Sequence, residues 1–115
     1  MNLTENQAAV LSALRDVGRK NLFLYVGSSA YLFQEDCKKI VKGDYWCVFG
    51  MGGLSWHIAP RVELPTATVL SIFKQLERRG FVIRETVRVG RGRPLYWWPV
   101  GLAALLCAEL ADNGL

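Results

Sequence analysis

The chain has 115 residues, of which 51% are hydrophobic, and its formal net charge is +4. This length fits one domain, and the apolar content is enough for a packed core, which argues against a disordered chain. No apolar run approaches the roughly 18 residues of a membrane span, and the N-terminus lacks the features of a signal peptide. We therefore expect a cytoplasmic protein with no membrane contact. Three widely spaced cysteines and a single histidine favour reduced thiols over a metal site.

The positive charge is concentrated in residues 54–99. This segment has eight basic and three acidic residues. Residues 1–53 have six basic and five acidic residues, and residues 100–115 have two acidic residues and no basic ones. A concentrated basic patch suits a polyanion, because neutralising phosphates releases condensed counterions. The charge distribution therefore favours a nucleic acid as partner.

The first predicted helix covers residues 5–17 and frays near Gly18. Thr4 and Gln7 have the spacing of a capping box, in which the hydroxyl and the amide each bond the other residue's backbone N–H. Residues 21–53 combine several different local patterns. Residues 21–26 are β-prone, residues 29–42 suit a helix, residues 44–49 suit a short strand, and the glycine-rich residues 50–53 suggest a flexible joint.

A helix, a tight turn and a second helix are predicted from residue 54 to Gly80. The first of these helices spans residues 54–62 and contains Pro60, so it is either kinked or begins only at Ala59. Thr66 is expected to cap the second helix, and Gly80 to end it. The expected buried stripe of this second helix consists of Val69, Ile72, Phe73 and Leu76.

A β-hairpin and a last helix follow. Residues 81–89 and 95–98 are the predicted strands, residues 90–94 are the turn, and Pro99 ends the second strand because proline cannot donate to a ladder. Residues 101–111 are apolar nearly all round, so this helix must be buried in the domain or against a partner chain.

The tryptophans are expected mainly in the core. We expect Trp46 and Trp56 to be buried. Tyr96, Trp97 and Trp98 could stack on unpaired bases, but the favoured interpretation places one tryptophan in the core and the other over the wing or an adjacent helix.

Six stretches of the chain carry a likeness to a known family: Leu3 to Gln7, Ile58-Ala59, Leu64-Pro65, Thr68-Val69, Leu76 to Val82 and Gly90 to Pro94. On these residues, and mainly from residue 54 onward, the chain resembles the winged helix-turn-helix of bacterial and archaeal regulators, in the broad style of the MarR and PadR families. The resemblance covers about 65 of the 115 residues. It implies an α+β winged helix-turn-helix in one domain, residues 1–115, with a helical core, a C-terminal β-hairpin wing and a final helix. Residues 21–53 would be an insertion, residues 54–99 the helix-turn-helix and wing, and residues 100–115 the final helix.

The resemblance also implies where double-stranded DNA would bind. In a helix-turn-helix the second helix enters the major groove and the first turns face the base edges. The candidate base-reading residues are Thr66, Ala67, Thr68, Ser71, Lys74 and Gln75. The candidate wing and phosphate contacts are Arg78, Arg84, Arg88, Arg91 and Arg93. The candidate dimer contacts are Leu102, Leu105, Leu106 and Leu110.

The expected function is a homodimeric, sequence-selective repressor of transcription that needs no cofactor or metal. Catalysis is not expected, since His57 has no partner nearby in sequence and the glycines at 50–53 lack the Lys-Ser/Thr of a phosphate loop. The alternatives are a winged-helix protein-interaction module, acting as inhibitor or adaptor, and a plasmid or phage replication or partition factor. The insertion at 21–53 could hold an effector pocket, a dimer surface or a partner-binding element.

Overall fold

The computed structural model describes residues 2–28, 38–39, 52–84 and 95–102. Within these residues the order of elements is α1 (Glu5–Ser28), α2 (Ser55–Val62), α3 (Thr66–Arg78), β1 (Val82–Arg84) and β2 (Trp97–Pro99). The predicted α+β class is confirmed, and the arrangement is consistent with a winged helix. No described helix combines the length and the hydropathy that crossing a membrane requires.

Several expectations lie outside the described residues. They are the strand at 44–49, nearly all of the helix at 29–42, the hairpin turn, and the last helix beyond Leu102. In the predicted helix 29–42, Lys38 and Lys39 are helical and exposed.

Helix α1 is longer than predicted. The capping box is confirmed, because Gln7 N–H donates to Thr4 Oγ1 over 3.1 Å and Thr4 N–H donates to Gln7 Oε1 over 3.0 Å. The predicted end near Gly18 and the β-prone segment at 21–26 are wrong, since the helix continues to Ser28. Leu14, Gly18 and Leu22 are all buried at four-residue spacing, so one helical face stays inside the protein beyond residue 17. Burial of this face overrides local β-propensity.

Helix α2 runs through Pro60, so the helix begins at Ser55 and not at Ala59. Pro60 and Trp56 are both exposed, so the bond that proline cannot make is lost on the side that faces water. Trp56 is 54% exposed, which corrects the expectation that it is buried. The face of α2 that packs inward carries Ile58 and Ala59, so position on the helix decides burial here.

The turn between α2 and α3 depends on Glu63, which adopts a left-handed conformation with φ of 57°. Leu64 N–H closes the end of α2 on the Ala59 carbonyl over 3.2 Å. The expected cap at Thr66 is wrong. Pro65 occupies the cap position, because its carbonyl already accepts from Val69 N–H over 3.0 Å, and Thr66 is the first residue of the helix.

Glu63→Gly is expected to stabilise the protein by up to about 1 kcal/mol. A left-handed conformation costs a side-chain-bearing residue about 1–2 kcal/mol, and glycine avoids this cost but loses more entropy on folding. Chemical unfolding at neutral pH measures the difference. Glu63→Ala is the matched control, because it removes the carboxylate but keeps the Cβ. Equal stabilisation by both variants would show that charge, and not backbone conformation, is responsible.

Helix α3 ends as predicted. Gly80 has φ of 81°, its N–H donates to the Glu77 carbonyl over 3.1 Å, and Phe81 N–H donates to the Leu76 carbonyl over 2.9 Å. These two bonds form a Schellman motif, which requires a left-handed residue at this position. The motif turns the chain directly from α3 into β1.

The core forms where the three helices pack on β1 and β2, and the predicted buried stripe of α3 is confirmed. Trp97 and Trp98 are both fully buried, and Trp98 lies against the adjacent helix α1, which is one of the two expected alternatives. Successive strand residues point to opposite faces, and both faces are covered here. Trp97 lies 5.1 Å from Phe73 between ring centroids, whereas Trp98 lies beside Gly18 and Gly52.

The sheet pairs β1 and β2 in antiparallel register, with Val82 opposite Pro99 and Arg84 opposite Trp97. The second strand therefore starts at Trp97, later than predicted, and includes Pro99 as its last residue. Gly53 pairs with Trp97 on the other edge of β2, with N–H to carbonyl distances of 2.9 and 2.8 Å. Gly52 and Gly53 are buried, so this end of the expected flexible joint is part of the sheet.

Candidate nucleic-acid interface

The outward face of α3 carries one continuous stripe. Its members follow at spacings of four, three and four residues and lie within an arc of about 60° at 100° per residue. The apolar residues on the opposite face are buried and anchor the helix in the core. The exposed stripe, as we call this set below, consists of Ala67, Ser71, Lys74 and Arg78.

The predicted base-reading residues divide into two groups. Thr66 and Thr68 are exposed in the first turn of α3 beside the exposed stripe, so the described part of the chain leaves the leading turn uncovered. Gln75 differs, because it is half-buried and its Oε1 accepts from Gln7 Nε2 over 3.0 Å. Five of the six predicted residues therefore share an open surface, and Gln75 is directed toward α1.

Arg78 and Arg79, at the end of α3, have different surroundings. Arg78 is exposed on the stripe. Arg79 is half-buried. Its guanidinium donates to Gln7 Oε1 over 3.1 Å and to the Asn2 carbonyl over 3.2 Å, and lies 5.4 Å from the Phe81 ring centroid. Arg79 therefore joins the end of α3 to the start of α1.

Arg84 at the end of β1 is paired with Glu77. Its Nε and Nη2 each donate to one carboxylate oxygen over 2.7 Å, and the guanidinium lies 4.9 Å from the Trp97 ring centroid. The hydrogen bond from Arg84 lowers the pKa of Glu77. Partial desolvation raises this pKa, and the positive charges of Arg84, Arg78 and Lys74 lower it further. The same bond raises the pKa of Arg84. This bidentate pair fixes β1 against the last turn of α3.

Removing this pair should change the pH dependence of stability. The pKa of Glu77 is lower in the folded protein, so its contribution is present above the unfolded pKa and is lost as pH falls through the folded value. Because both side chains are substantially exposed, the contribution should not exceed about 1 kcal/mol. Glu77→Gln should lower the free energy of unfolding at pH 7 and flatten its decline toward acid.

A double-mutant cycle with Arg84→Met is the control for this prediction. The second substitution should have little further effect once Glu77 is neutral. Additive losses in denaturant unfolding at pH 7 would contradict a coupled pair.

The remaining predicted contacts are not placed. Arg88, Arg91 and Arg93 lie in residues 85–94, and three leucines of the final helix lie in residues 103–115, both outside the described residues. Leu102 is buried at 8% exposure and is close to Gly18 of its own chain, where a Cβ would meet its Cδ2 at 2.9 Å. A dimer role therefore stays a prediction for the leucines at 105, 106 and 110.

Two features of the surface had no predictive signal in the sequence. The capping box identified Gln7 as a local cap, but its partners Gln75 and Arg79 are 68 and 72 positions away. Trp56 and His57 lie side by side on the outer face of α2, with ring centroids 3.9 Å apart. Composition alone assigned this tryptophan to the core.

No protein-family model matches the chain, and no curated protein is significantly similar to it in sequence. Among solved structures, a MarR family regulator from Neisseria meningitidis aligns with 84% of this chain and 67% of its own, at 20% identity and a TM-score of 0.37. A resemblance this distant leaves the function to be argued from the exposed stripe and its surroundings.

Proposed function

We propose that the protein is a sequence-selective, double-stranded DNA-binding regulator of transcription that acts as a repressor. Helix α3 enters the major groove, and the Arg/Gly segment at 90–94 reaches an adjacent minor groove. The observation that carries the proposal is the uncovered leading turn of α3 together with the exposed stripe, on a helix whose opposite face is buried.

The chemistry of α3 suits base readout followed by phosphate contact. Thr66, Thr68 and Ser71 in the leading turns have short hydroxyl side chains that can bond several base edges, and threonine methyl groups can touch thymine methyl groups. Lys74 and Arg78 follow one and two turns later, and both are exposed. Their longer cationic side chains suit the phosphates that flank the groove.

The position of β1 supports a wing beside α3. The Schellman turn at Gly80 and the ion pair between Glu77 and Arg84 hold the start of the hairpin against the end of α3. In the sequence, Arg88 precedes the tip, and Arg91 and Arg93 alternate with glycine and precede a proline. This Arg-Gly-Arg-Pro run resembles the core of an AT-hook, and arginine is attracted to the strong negative potential of narrow, A·T-rich minor grooves.

A homodimer would match a pseudo-palindromic operator. Two copies of α3 would enter major grooves about one helical turn apart, and repression would follow from occupying the site. The apolar C-terminal segment with Leu105, Leu106 and Leu110 is the proposed dimer contact.

Selection of bound fragments from random duplex DNA tests the proposal, followed by titration of the selected duplex and a scrambled duplex at two salt concentrations. We expect a recovered motif with two half-sites and tighter binding to the selected duplex, with affinity falling steeply as salt rises. Failure to bind either duplex at low salt would overturn the proposal.

Arg91→Ala is expected to weaken binding to both duplexes and to lower the slope of log affinity against log salt by about one unit. The reason is the loss of one phosphate-neutralising charge at the wing tip. The same titrations measure it. An unchanged slope together with an unchanged preference for A·T-rich DNA would contradict the proposed role of the wing.

An alternative function is supported by Trp56. This side chain is 54% exposed beside His57 on the outer face of α2, and exposed tryptophan is typical of protein interfaces. The protein would then be an interaction module acting as inhibitor or adaptor. Replacing Arg91 and Arg93 together by alanine discriminates between the two functions. Loss of DNA binding with the fold intact favours the regulator, whereas retained partner binding in a protein with no DNA affinity favours the interaction module.

A further inference from the structure

Gln7 is a buried polar residue whose carboxamide makes three hydrogen bonds. Its side chain is 9% exposed. Oε1 accepts from Thr4 N–H over 3.0 Å and from Arg79 Nη1 over 3.1 Å, while Nε2 donates to Gln75 Oε1 over 3.0 Å. The partners determine the orientation of the amide, because the reversed orientation would turn its NH₂ group toward two donors.

These bonds join the first turn of α1 to the last turns of α3. Arg79 extends the junction by donating to the Asn2 carbonyl over 3.2 Å. Apart from this junction, α1 and α3 meet through buried apolar side chains such as Val10, Leu14 and Phe73. Apolar packing holds two helices together but is not directional, whereas hydrogen bonds prefer one geometry. The junction therefore restrains rotation of α3 about its own axis.

We infer that Gln7 is a positioning residue for base readout: its amide fixes the direction in which the exposed stripe of α3 faces the DNA. The inference rests on the proposed function. The stripe and the bonded Gln75 are on the same rigid helix, so a small rotation of α3 displaces the tips of Thr68 and Ser71 relative to base edges. Hydrogen bonds to bases weaken steeply with such displacement, whereas contacts to phosphate through long side chains tolerate it.

Base readout and phosphate contact should therefore respond differently to the loss of the Gln7 amide. Gln7→Ala should lower the preference for a selected duplex over a scrambled duplex by about tenfold, the effect of one misread base pair. Affinity for the scrambled duplex and its salt slope should not change, because the phosphate contacts remain. A purely structural role would lower the melting temperature without changing this preference in the folded protein.

Fluorescence anisotropy with both duplexes, well below the melting temperature, measures the preference, and circular dichroism confirms that each variant is folded. Gln7→Glu keeps the acceptors for Thr4 and Arg79, and its second carboxylate oxygen can accept from Gln75 once the Gln75 amide turns over, so this variant should retain most of the preference. Asn6→Ala, at an exposed neighbouring position of α1, is the control and should match the wild type.

A folded Gln7→Ala variant that keeps the wild-type preference would overturn the inference while leaving the proposed function intact. If Gln7→Ala does not fold, Gln75→Ala, which removes the partner of Gln7 Nε2, decides the matter by the same measurement. Wild-type protein that binds neither duplex would instead mark the failure of the proposed function, and the inference would fall with it.

Discussion

Gly52→Ala is expected to lower the free energy of unfolding by about 2–3 kcal/mol, near the upper end for overpacking a core. A Cβ at this position would lie 2.5 Å from the Trp97 carbonyl oxygen and 2.9 Å from Trp98 Nε1. The carbonyl belongs to the backbone and already accepts from Gly53 N–H, so it cannot move without breaking the sheet. The melting temperature should fall by about 10 °C or more.

Thermal and urea unfolding measure this loss, and Gly80→Ala is the matched control. Gly80 has a positive φ, but a Cβ there would meet nothing within 4 Å, so this substitution costs backbone strain alone, about 1 kcal/mol. Gly52→Ala should be clearly the more damaging. Equal effects, or a mild effect at Gly52, would contradict the close packing of residues 52–53 against β2.

Replacing Lys74 and Arg78 together by alanine is expected to lower affinity for duplex DNA between about tenfold and a hundredfold at 0.1 M salt. Each phosphate contact contributes about 0.9 to the slope of log affinity against log salt, so the slope should fall by about two. Both side chains are exposed on the outer face of α3, away from the buried stripe, so the fold should not change. Anisotropy titrations over a salt series measure both quantities.

The matched control removes two positive charges from a different surface. Arg15 and Lys20 are exposed on α1, and their double alanine variant has the same net charge as the α3 variant. We expect this control to bind with nearly wild-type affinity and slope. If both double variants weaken binding equally, net charge alone determines affinity and α3 is not the contact surface.

Local patterns in the sequence predicted three features correctly. The capping box at Thr4 and Gln7, the buried stripe of α3 and the glycine stop at Gly80 are all confirmed. Each depends on bonds or periodicity within a few residues, which are visible in the order of the residues. The exposure of the stripe follows from the same periodicity, since a helix with one buried face must present the other.

The wrong predictions for residues 21–26 and Trp56 share one cause. Residues 21–26 continue α1 because Leu22 extends a face already buried at Leu14 and Gly18, and Trp56 is exposed because α2 packs through Ile58 and Ala59. Local composition suggested a strand and a core residue at these places. In both, contacts with distant parts of the chain outweighed intrinsic preference.

The sequence by itself determined that residues 54–80 form two helices around a tight turn and that the basic charge gathers around them. Only the tertiary structure decided which groups remain available to a partner. Hydrogen bonds engage three of the polar or charged residues: Gln75 and Arg79 bond Gln7, and Arg84 bonds Glu77. The exposed residues are Ser71, Lys74 and Arg78. The physical reason is that these bonds join residues on different elements, and only packing brings those elements together.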